Sequence, residues 1–473
     1  MKFFKTVNRS LSLVAFVALL AGCSDGSNGS NGTNGLESLL SMNDEPMGTN
    51  CTYGGTRITS GIDANSDGNL TQDEVNHTEY ICSDSSSVTA FDGVVYTADK
   101  NIDGMNELYA NVGGVEIKLA APARSSESIG SIQVSPDKTR VAYKQGGRLY
   151  SVDLLRRSVP VQMHPELVEG GSVYDFKWAP NSSKILYQAD QDTDEISELY
   201  TVLVDGSGNV KVNSMLVAGG DIRSFQWAPD SSKILYKADQ DTYSIFELYT
   251  VEADGSGNIK VNGTLVGGGD VSGFQWAPDS STVLYSADQD INLVDEIYTV
   301  SPDGSNRVKV NTSLIAGDSV VSYQWSPDSS KILYRSVHEG VFELYSVSPN
   351  GNGNVKVNGV LVEEGDVFDY EWSPDSSKIL YTAVQDRDDI RELYIVLADG
   401  SGNVKLNSGL VSGGDVLSFQ WVPDSSKIFY GADQDTDGVV ELYSVLTDGS
   451  DNMKVSGAMP AFGNVNDYII VQL

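Results

Sequence analysis

The sequence is poor in the residues that most often carry out catalytic or redox chemistry. Its 473 residues include only three cysteines and three histidines, and the Gly-x-Ser-x-Gly motif of serine hydrolases does not occur. His77, His164 and His338 are far apart in the chain, which argues against a histidine-based metal site. Basic residues are also scarce, with 31 Lys and Arg against 65 Asp and Glu, so the formal net charge is −34. Because phosphate binding needs the opposite sign, nucleic acid is not an expected partner.

Long apolar runs are scarce, and the one at the start is short. Three basic residues precede the run Leu11–Leu20, which is too short for a transmembrane helix and is typical of a secretory signal. The run leads into Leu20-Ala21-Gly22-Cys23, which resembles the lipobox of bacterial lipoproteins; an ordinary signal peptide is the alternative. The resemblance implies a signal over residues 1–22, a lipid on Cys23 and anchoring in the outer membrane, on either its periplasmic or its surface side. Residues 23–49 are then the lipidated cysteine and a flexible tether.

Once Cys23 carries the lipid, only Cys51 and Cys82 remain. A disulfide between them is the simple interpretation in an oxidising compartment. It would hold together a small module over residues 50–84, which is too short to be stabilised well by a hydrophobic core alone.

Between these cysteines the sequence has the spacing of a twelve-residue EF-hand loop. Oxygen-bearing side chains occupy positions 1, 3, 5 and 9, glycine occupies position 6 and glutamate occupies position 12. Glycines before the loop exclude the usual entering helix, so the module resembles a single, atypical EF-hand-like loop. An acidic turn held only by the disulfide is the alternative. The expected cofactor is a structural Ca²⁺, and the first-choice ligands are Asp63, Asn65, Asp67, Asn69, Thr71 and Glu74.

The rest of the chain is built from a repeat that contains all six tryptophans. The tryptophans stand at positions 178, 227, 276, 325, 372 and 421, a period of 47 to 49 residues that is typical of propeller blades. Four strands are expected in one repeat, at residues 222–227, 234–238, 247–252 and 258–262. Phe225 and Trp227 share a face of their strand, so we expect the aromatic stripe to pack between blades.

The phrase Trp-Ser-Pro-Asp-Ser-Ser-Lys-Ile-Leu-Tyr followed by Glu-Leu-Tyr, between Ser322 and Tyr345, resembles the blade of TolB-like propellers. The resemblance implies an all-β propeller over residues 85–473. A weaker copy lies at Ser131–Met163, and Val94–Leu119 holds the last three strands of another. Its missing first strand can come from Val465–Val471 at the C-terminus. The sequence therefore predicts an eight-bladed propeller of four-stranded blades, with seven blades as the alternative.

Acidic loops join the second and third strands of several repeats. Two of them place oxygens at positions 1, 3, 5 and 9, as in the nine-residue calcium loop of some propeller blades. An acidic hairpin without metal is the alternative. The second-choice calcium ligands are Asp99, Asn101, Asp103 and Glu107, and Asp433, Asp435, Asp437 and Glu441.

The functional expectation is a non-enzymatic module of the cell envelope that binds or scaffolds a protein or glycan partner. The acidic loops and the connections between blades lie on one face of an antiparallel propeller, which is the expected binding surface. No catalytic residue is assigned. The alternatives are a polysaccharide lyase or hydrolase that uses carboxylates in the central channel, and a purely structural spacer; fold alone does not choose between them. The sequence does not indicate an oligomeric state.

Overall fold

The computed structural model describes residues 37–45, 50, 55–65, 70–82, 93–101, 103–112, 115–122, 124, 127–154, 159–457, 459–460 and 463–470. These residues fold as β-strands and turns, and the chain divides into two units, residues 1–89 and 90–473. In the part of the chain that the structure describes, no helix is long and apolar enough to cross a membrane. The predicted signal, Cys23 as the predicted site of lipidation, and Cys51 lie outside the described residues.

The first unit contains an antiparallel sheet of three strands in the order β1-β2-β3, with β1 at Glu37–Glu45, β2 at Gly55–Asp63 and β3 at Val75–Cys82. The EF-hand-like loop connects β2 to β3, so strands take the place of both helices of an EF-hand. Strand β1 corrects the sequence interpretation, which placed residues 23–49 in the tether. Residues 37–45 contain no glycine, and all nine pair with β2.

The second unit is a β-propeller made of repeated antiparallel sheets. Sheet 1 has three strands, β4 to β6, in the described residues, and sheets 2 to 8 have four each. In sheets 3 to 8 the strands are hydrogen-bonded in chain order, so each repeat of the sequence is one sheet. The strands are β4 Val94–Ala98, β5 Glu107–Val112 and β6 Val115–Ala120; β7 Ile129–Val134, β8 Arg140–Gln145, β9 Arg148–Asp153 and β10 Val161–Gln162; β11 Val173–Trp178, β12 Lys184–Ala189, β13 Glu198–Leu203 and β14 Val210–Lys211; β15 Ile222–Trp227, β16 Lys233–Ala238, β17 Glu247–Glu252 and β18 Ile259–Lys260; β19 Val271–Trp276, β20 Val283–Ala287, β21 Glu296–Val300 and β22 Val308–Lys309; β23 Ser319–Trp325, β24 Ile332–His338, β25 Val341–Val347 and β26 Val355–Lys356; β27 Val367–Trp372, β28 Lys378–Ala383, β29 Glu392–Leu397 and β30 Val404–Lys405; β31 Val416–Trp421, β32 Lys427–Ala432, β33 Glu441–Leu446 and β34 Met453–Lys454.

The predicted strands of the repeat are confirmed within one or two residues. β15 and β17 have the expected ends, β16 begins one residue earlier, and β18 is two residues long where five were expected. A glycine-containing turn of the next sheet lies against the outer strand, as the turn of sheet 4 does against β14. A Cβ on Gly255 would come within 2.8 Å of the carbonyl oxygen of Lys211.

The hydrophobic core lies between neighbouring sheets. In one cluster Phe225 and Trp227 of sheet 4 pack on Leu186 and Leu199 of sheet 3, which confirms the expected role of the aromatic stripe. Seven such clusters join sheets 1 and 2, 2 and 3, and so on to sheets 7 and 8. Each sheet alone is too thin to hold a core, so stacking supplies it.

The C-terminal segment differs from the prediction. Residues 463–470 form no strand, and sheet 1 shows three strands, so the predicted pairing of Val465–Val471 with sheet 1 is not present among the described residues. The segment instead contacts sheet 8, where Val465 N donates to Val440 O at 2.9 Å and Asn464 Oδ1 accepts from Val440 N at 2.7 Å. Beside it lies a cavity of about 420 Å³, lined in part by Phe429, Leu442 and Ile470.

Candidate functional site

The antiparallel order gives the propeller two faces with different loops. We call "constant face" the face that carries the first-to-second and third-to-fourth strand loops, for example residues 228–232 and 253–258 in sheet 4. We call "variable face" the opposite face, which carries the second-to-third strand loops and the connections to the next sheet, for example residues 239–246 and 261–270. The acidic loops lie on the variable face.

The constant face is held by a repeated link between sheets. In the turn Pro-Asp-Ser-Ser the first serine adopts a left-handed backbone, for example Ser329 with φ 62°. Its Oγ accepts a hydrogen bond from the backbone N–H of the preceding sheet's turn, here Asp279 N at 3.1 Å. Six such links run from sheet 2 to sheet 8: Asp137–Ser182, Asn181–Ser231, Asp230–Ser280, Asp279–Ser329, Asp328–Ser376 and Asp375–Ser425.

The variable face is where the repeats differ from one another. The residue four places before the tryptophan of the first strand is different in each of sheets 3 to 8, namely Tyr174, Arg223, Ser272, Val321, Phe368 and Leu417. The residue before the third strand varies with it. Arg223 lies over Phe246 at 5.0 Å, Ser272 Oγ donates to Asp295 at 2.5 Å, and Arg391 lies over Phe368 at 3.9 Å. Sequence reasoning missed this contrast, although aligning the repeats with each other reveals it.

A buried carboxylate recurs at the start of the third strand, on the variable face. In sheet 5 the side chain of Glu296 accepts hydrogen bonds from Tyr298 Oη at 2.9 Å and Lys309 Nζ at 2.9 Å. The same lysine lies 2.7 Å from Asp290 in the acidic loop. Sheets 3, 4, 7 and 8 repeat this Asp-Lys-Glu arrangement, with Lys211, Lys260, Lys405 and Lys454 as the lysine. The signal in the sequence is a lysine thirteen residues after each glutamate.

This arrangement separates the residues predicted to bind calcium at the Asp433 loop. Asp433 accepts hydrogen bonds from the backbone N–H groups of Asp415 and Gly438 at 2.5 and 3.0 Å. Asp435 and Glu441 each lie 2.7 Å from Lys454 Nζ, and Asp437 is exposed. The four side chains do not converge on one point, so in this conformation they do not fit a calcium site.

In the Asp99 loop, too, the predicted calcium ligands are held by different partners. Glu107 accepts from Lys118 Nζ at 2.7 Å and also contacts Asn101, while Asp99 accepts from the backbone N–H of Gly104 at 3.2 Å. The side chain of Asp103 is exposed. The hydrogen bond from Tyr109 to Glu107 raises the pKa of Tyr109 to about 12. Among the described residues, no three acids, histidines or cysteines are grouped as metal ligands would be.

The EF-hand-like loop is organised around Glu74. Glu74 Oε1 accepts from the backbone N–H groups of Ala64 and Asn65 at 3.0 and 3.3 Å, and Oε2 accepts from the N–H and hydroxyl of Thr71 at 2.9 and 2.7 Å. The hydrogen bonds from Thr71 hold the pKa of Glu74 below its usual value. Asp63 is buried with it, at 2% exposure. Asp67 and Asn69 lie outside the described residues, as does the side chain of Cys82.

The loop therefore fits a calcium ion in part. The carboxylates of Asp63 and Glu74 are buried, and Glu74 points to the inside of the loop because all of its donors belong to the loop. No lysine or arginine occurs between Arg57 and Lys100 to neutralise them. The loop differs in this respect from the loops of the propeller.

The first strands of neighbouring sheets are also joined by side chains. At the position before the tryptophan, two side chains reach the carbonyl of the next first strand: Lys177 Nζ donates to Phe225 O at 2.8 Å and Gln275 Nε2 donates to Tyr323 O at 3.2 Å. Glu371 occupies this position in sheet 7, and burial raises its pKa. A second carboxylate does not occur at this position in sheets 2 to 8, so a paired acid and base are absent there.

Comparisons with known proteins cover the two units unequally. Residues 37–82 match a family model described as a domain of unknown function (DUF7151). These 46 residues coincide with β1 to β3 and their connections. No curated protein matches the chain.

Three solved structures illustrate what the chain is similar to. Dipeptidyl peptidase 4 of Porphyromonas gingivalis is 11% identical with a TM-score of 0.49; the match covers 69% of this chain and 53% of the peptidase, so the chain spans about half of that protein's length. Oligogalacturonate lyase of Vibrio parahaemolyticus is 13% identical, with a TM-score of 0.37 over 76% of this chain and 97% of the lyase. A putative TolB of Agrobacterium tumefaciens is 15% identical, with a TM-score of 0.31 over 52% of this chain and 85% of TolB. The assignment of a propeller depends on the strand pairing and inter-sheet packing described above.

Proposed function

We propose that this chain is a lipid-anchored, TolB-like propeller of the outer membrane that binds or scaffolds an envelope partner through its variable face, without catalysing a reaction. One observation carries the proposal. Hydrogen bonds and shared sequence fix the constant face, whereas the side chains that differ between sheets are gathered on the variable face. Repeats that served only as a spacer would have no reason to differ more on one face than on the other.

The proposal includes a structural Ca²⁺ in the loop of residues 63–74 and a disulfide between Cys51 and Cys82. Ca²⁺ binds six to eight hard oxygens, which the spacing of the loop supplies. The burial of Asp63 and Glu74 in one loop of this spacing supports a structural cation there. The ion would hold the loop that joins β2 to β3, so its role is to stabilise the module.

The proposal also includes an eight-bladed ring closed by the C-terminus. The bonds of residues 464 and 465 to Val440 repeat those of Asp415 and Val416 to Arg391, at 2.7 and 2.9 Å in both cases. Residues 464–470 thus dock on sheet 8 as the first strand of a following sheet would. In the described residues sheet 1 consists of β4 to β6, which correspond to the last three strands of a blade, so pairing of this segment with β4 would complete the eighth blade.

The binding role is tested by photo-crosslinking in the cells that produce the protein. A photoreactive side chain is placed at Met215 on the variable face or, as the matched control, at Leu203 at the constant-face end of β13. Adducts to an envelope molecule at position 215 and not at position 203 support the proposal. Equal adducts at both positions, or none at either, would contradict it.

A further inference from the structure

The two faces of the propeller also differ in charge. On the variable face, the loops and connections of sheets 3 to 8 contain acids in every sheet and only two bases, Arg387 and Arg391. Lysines of the fourth strands pair with five of these acids, and the other acids outnumber the two arginines. On the constant face a lysine stands at the start of the second strand of most sheets or immediately before it, namely Lys184, Lys233, Lys331, Lys378 and Lys427. A positively charged partner is therefore attracted to one face in particular.

Exposed apolar side chains accompany the acids on the variable face. Met215, Leu293 and Val360 are 90%, 85% and 88% exposed, so they contribute nothing to the core between sheets. Met215 and Val360 occupy equivalent positions in two connections, and Leu293 lies in an acidic loop that also contains Asp290. Glu363 and Glu364 are exposed close to Val360 in the same connection. Exposed apolar and acidic groups thus occur on the same face.

This combination selects among the partners that the proposed function leaves open. A neutral glycan has no positive charge to meet the acids, and an acidic glycan is repelled by them. A polypeptide with lysine or arginine interleaved with apolar residues satisfies both features, because its charges pair with acids while its apolar side chains cover Met215, Leu293 and Val360. We propose that the variable face binds a cationic, partly apolar polypeptide segment; this inference rests on the proposed binding role of that face.

The test compares two synthetic peptides of equal length and charge, one of alternating Lys and Leu and one of alternating Lys and Ser, binding to the full chain. We expect the Lys-Leu peptide to bind the more tightly. The triple variant Met215→Ser, Leu293→Ser and Val360→Ser should weaken its binding about tenfold, since each substitution removes buried apolar area from the complex. The triple control Leu203→Ser, Leu397→Ser and Val404→Ser, at the constant-face ends of their strands, should change it less than twofold.

A second pair of variants tests the charge. Asp389 and Asp451 are both exposed and have left-handed backbones, with φ 56° and 52°, which asparagine tolerates. Asp389 lies in a loop of the variable face and Asp451 in a loop of the constant face. We expect Asp389→Asn to weaken peptide binding about twofold and Asp451→Asn to leave it unchanged, because the effect of one exposed charge is small.

Equal binding of the two peptides, or equal effects of the two triple variants, would overturn the inference. The proposed function fails separately. If photo-crosslinking captures a glycan or an acidic protein at position 215, the binding role stands and the partner class is wrong. If position 215 gives no adduct beyond position 203, both are wrong.

Discussion

The loop of residues 63–74 and the acidic loops of the propeller look alike in sequence, but different groups stabilise their carboxylates. In the propeller the ammonium of a lysine from the fourth strand lies between the loop aspartate and the buried glutamate. In the EF-hand-like loop the glutamate is held by backbone N–H groups, and the neighbouring sequence has no lysine or arginine. The comparison teaches that spacing of acids does not by itself indicate a metal; the position of the nearest base decides whether an external cation is needed.

The largest effect is expected from removing an internal cation. Lys309→Ala leaves Glu296, whose side chain is 1% exposed, without its countercharge, and should lower the free energy of unfolding by about 3 kcal/mol. Lys356→Ala is the matched control in sheet 6. Its partner Glu343 is 21% exposed, so this substitution should lower the free energy of unfolding by only about 1 kcal/mol. Denaturant unfolding followed by tryptophan fluorescence measures both. Equal losses would contradict the importance of burial.

Removing the external cation should affect the module alone. Calcium present at about 100 times its dissociation constant contributes about 2.7 kcal/mol to the folded state, and a chelator removes this contribution. We expect faster protease cleavage within residues 37–82 after chelation. All six tryptophans lie in sheets 3 to 8, so the unfolding midpoint reported by tryptophan fluorescence should stay the same. A shift of that midpoint would place calcium in the propeller.

The two types of loop should become more alike when the lysine is removed. Lys454→Ala leaves Asp435 and Glu441 without a base, so calcium should stabilise this variant by up to about 1 kcal/mol and leave the natural protein unaffected. Lys356→Ala is the control, since the loop of sheet 6 has no equivalent aspartate. Calcium titration of both variants during unfolding measures the difference. Stabilisation of the Lys356→Ala variant would show that the effect is unspecific.

The smallest effect is expected in sheet 6, where His338 supplies a countercharge to Asp318. His338 Nδ1 lies 2.6 Å from Asp318 Oδ2, and this hydrogen bond raises the pKa of His338 above 6.5. Its contribution to stability is therefore complete below pH 6.5 and is lost as the pH rises through the raised pKa. His338→Gln should be less stable than the natural protein only at the lower pH values. Urea unfolding over a pH series measures this.

His164 provides a control of opposite sign. Burial lowers its pKa, so its neutral form is favoured in the folded state and stability is lost as the pH falls below 6.5. Asn213 and its counterparts in sheets 4 to 7 occupy the equivalent position, so His164→Asn is the natural substitution and should remove this loss. Parallel pH dependences for the two variants would contradict the account.

The sequence predicted the regular parts of the fold because the repeat shows them several times. Strand bounds, the aromatic packing of Phe225 and Trp227 and the face that carries the acidic loops follow from alternation and turn residues. β1 was missed since it appears once and follows a glycine-rich segment. The role of Lys454 was missed because the residues around an acidic loop were considered without the strand that packs beside it, thirteen residues beyond Glu441. The links made by the left-handed serines were missed since each one joins the turns of two different repeats.

The most direct test of the central claim is the number of Ca²⁺ ions bound per chain, measured by calorimetric titration of chelator-stripped full-length protein. Glu74→Gln and Glu441→Gln are the matched variants, one in each type of loop. The account predicts one ion in the natural protein and in Glu441→Gln, and none in Glu74→Gln. Two or more ions, or an ion that remains in Glu74→Gln and is lost in Glu441→Gln, would contradict it.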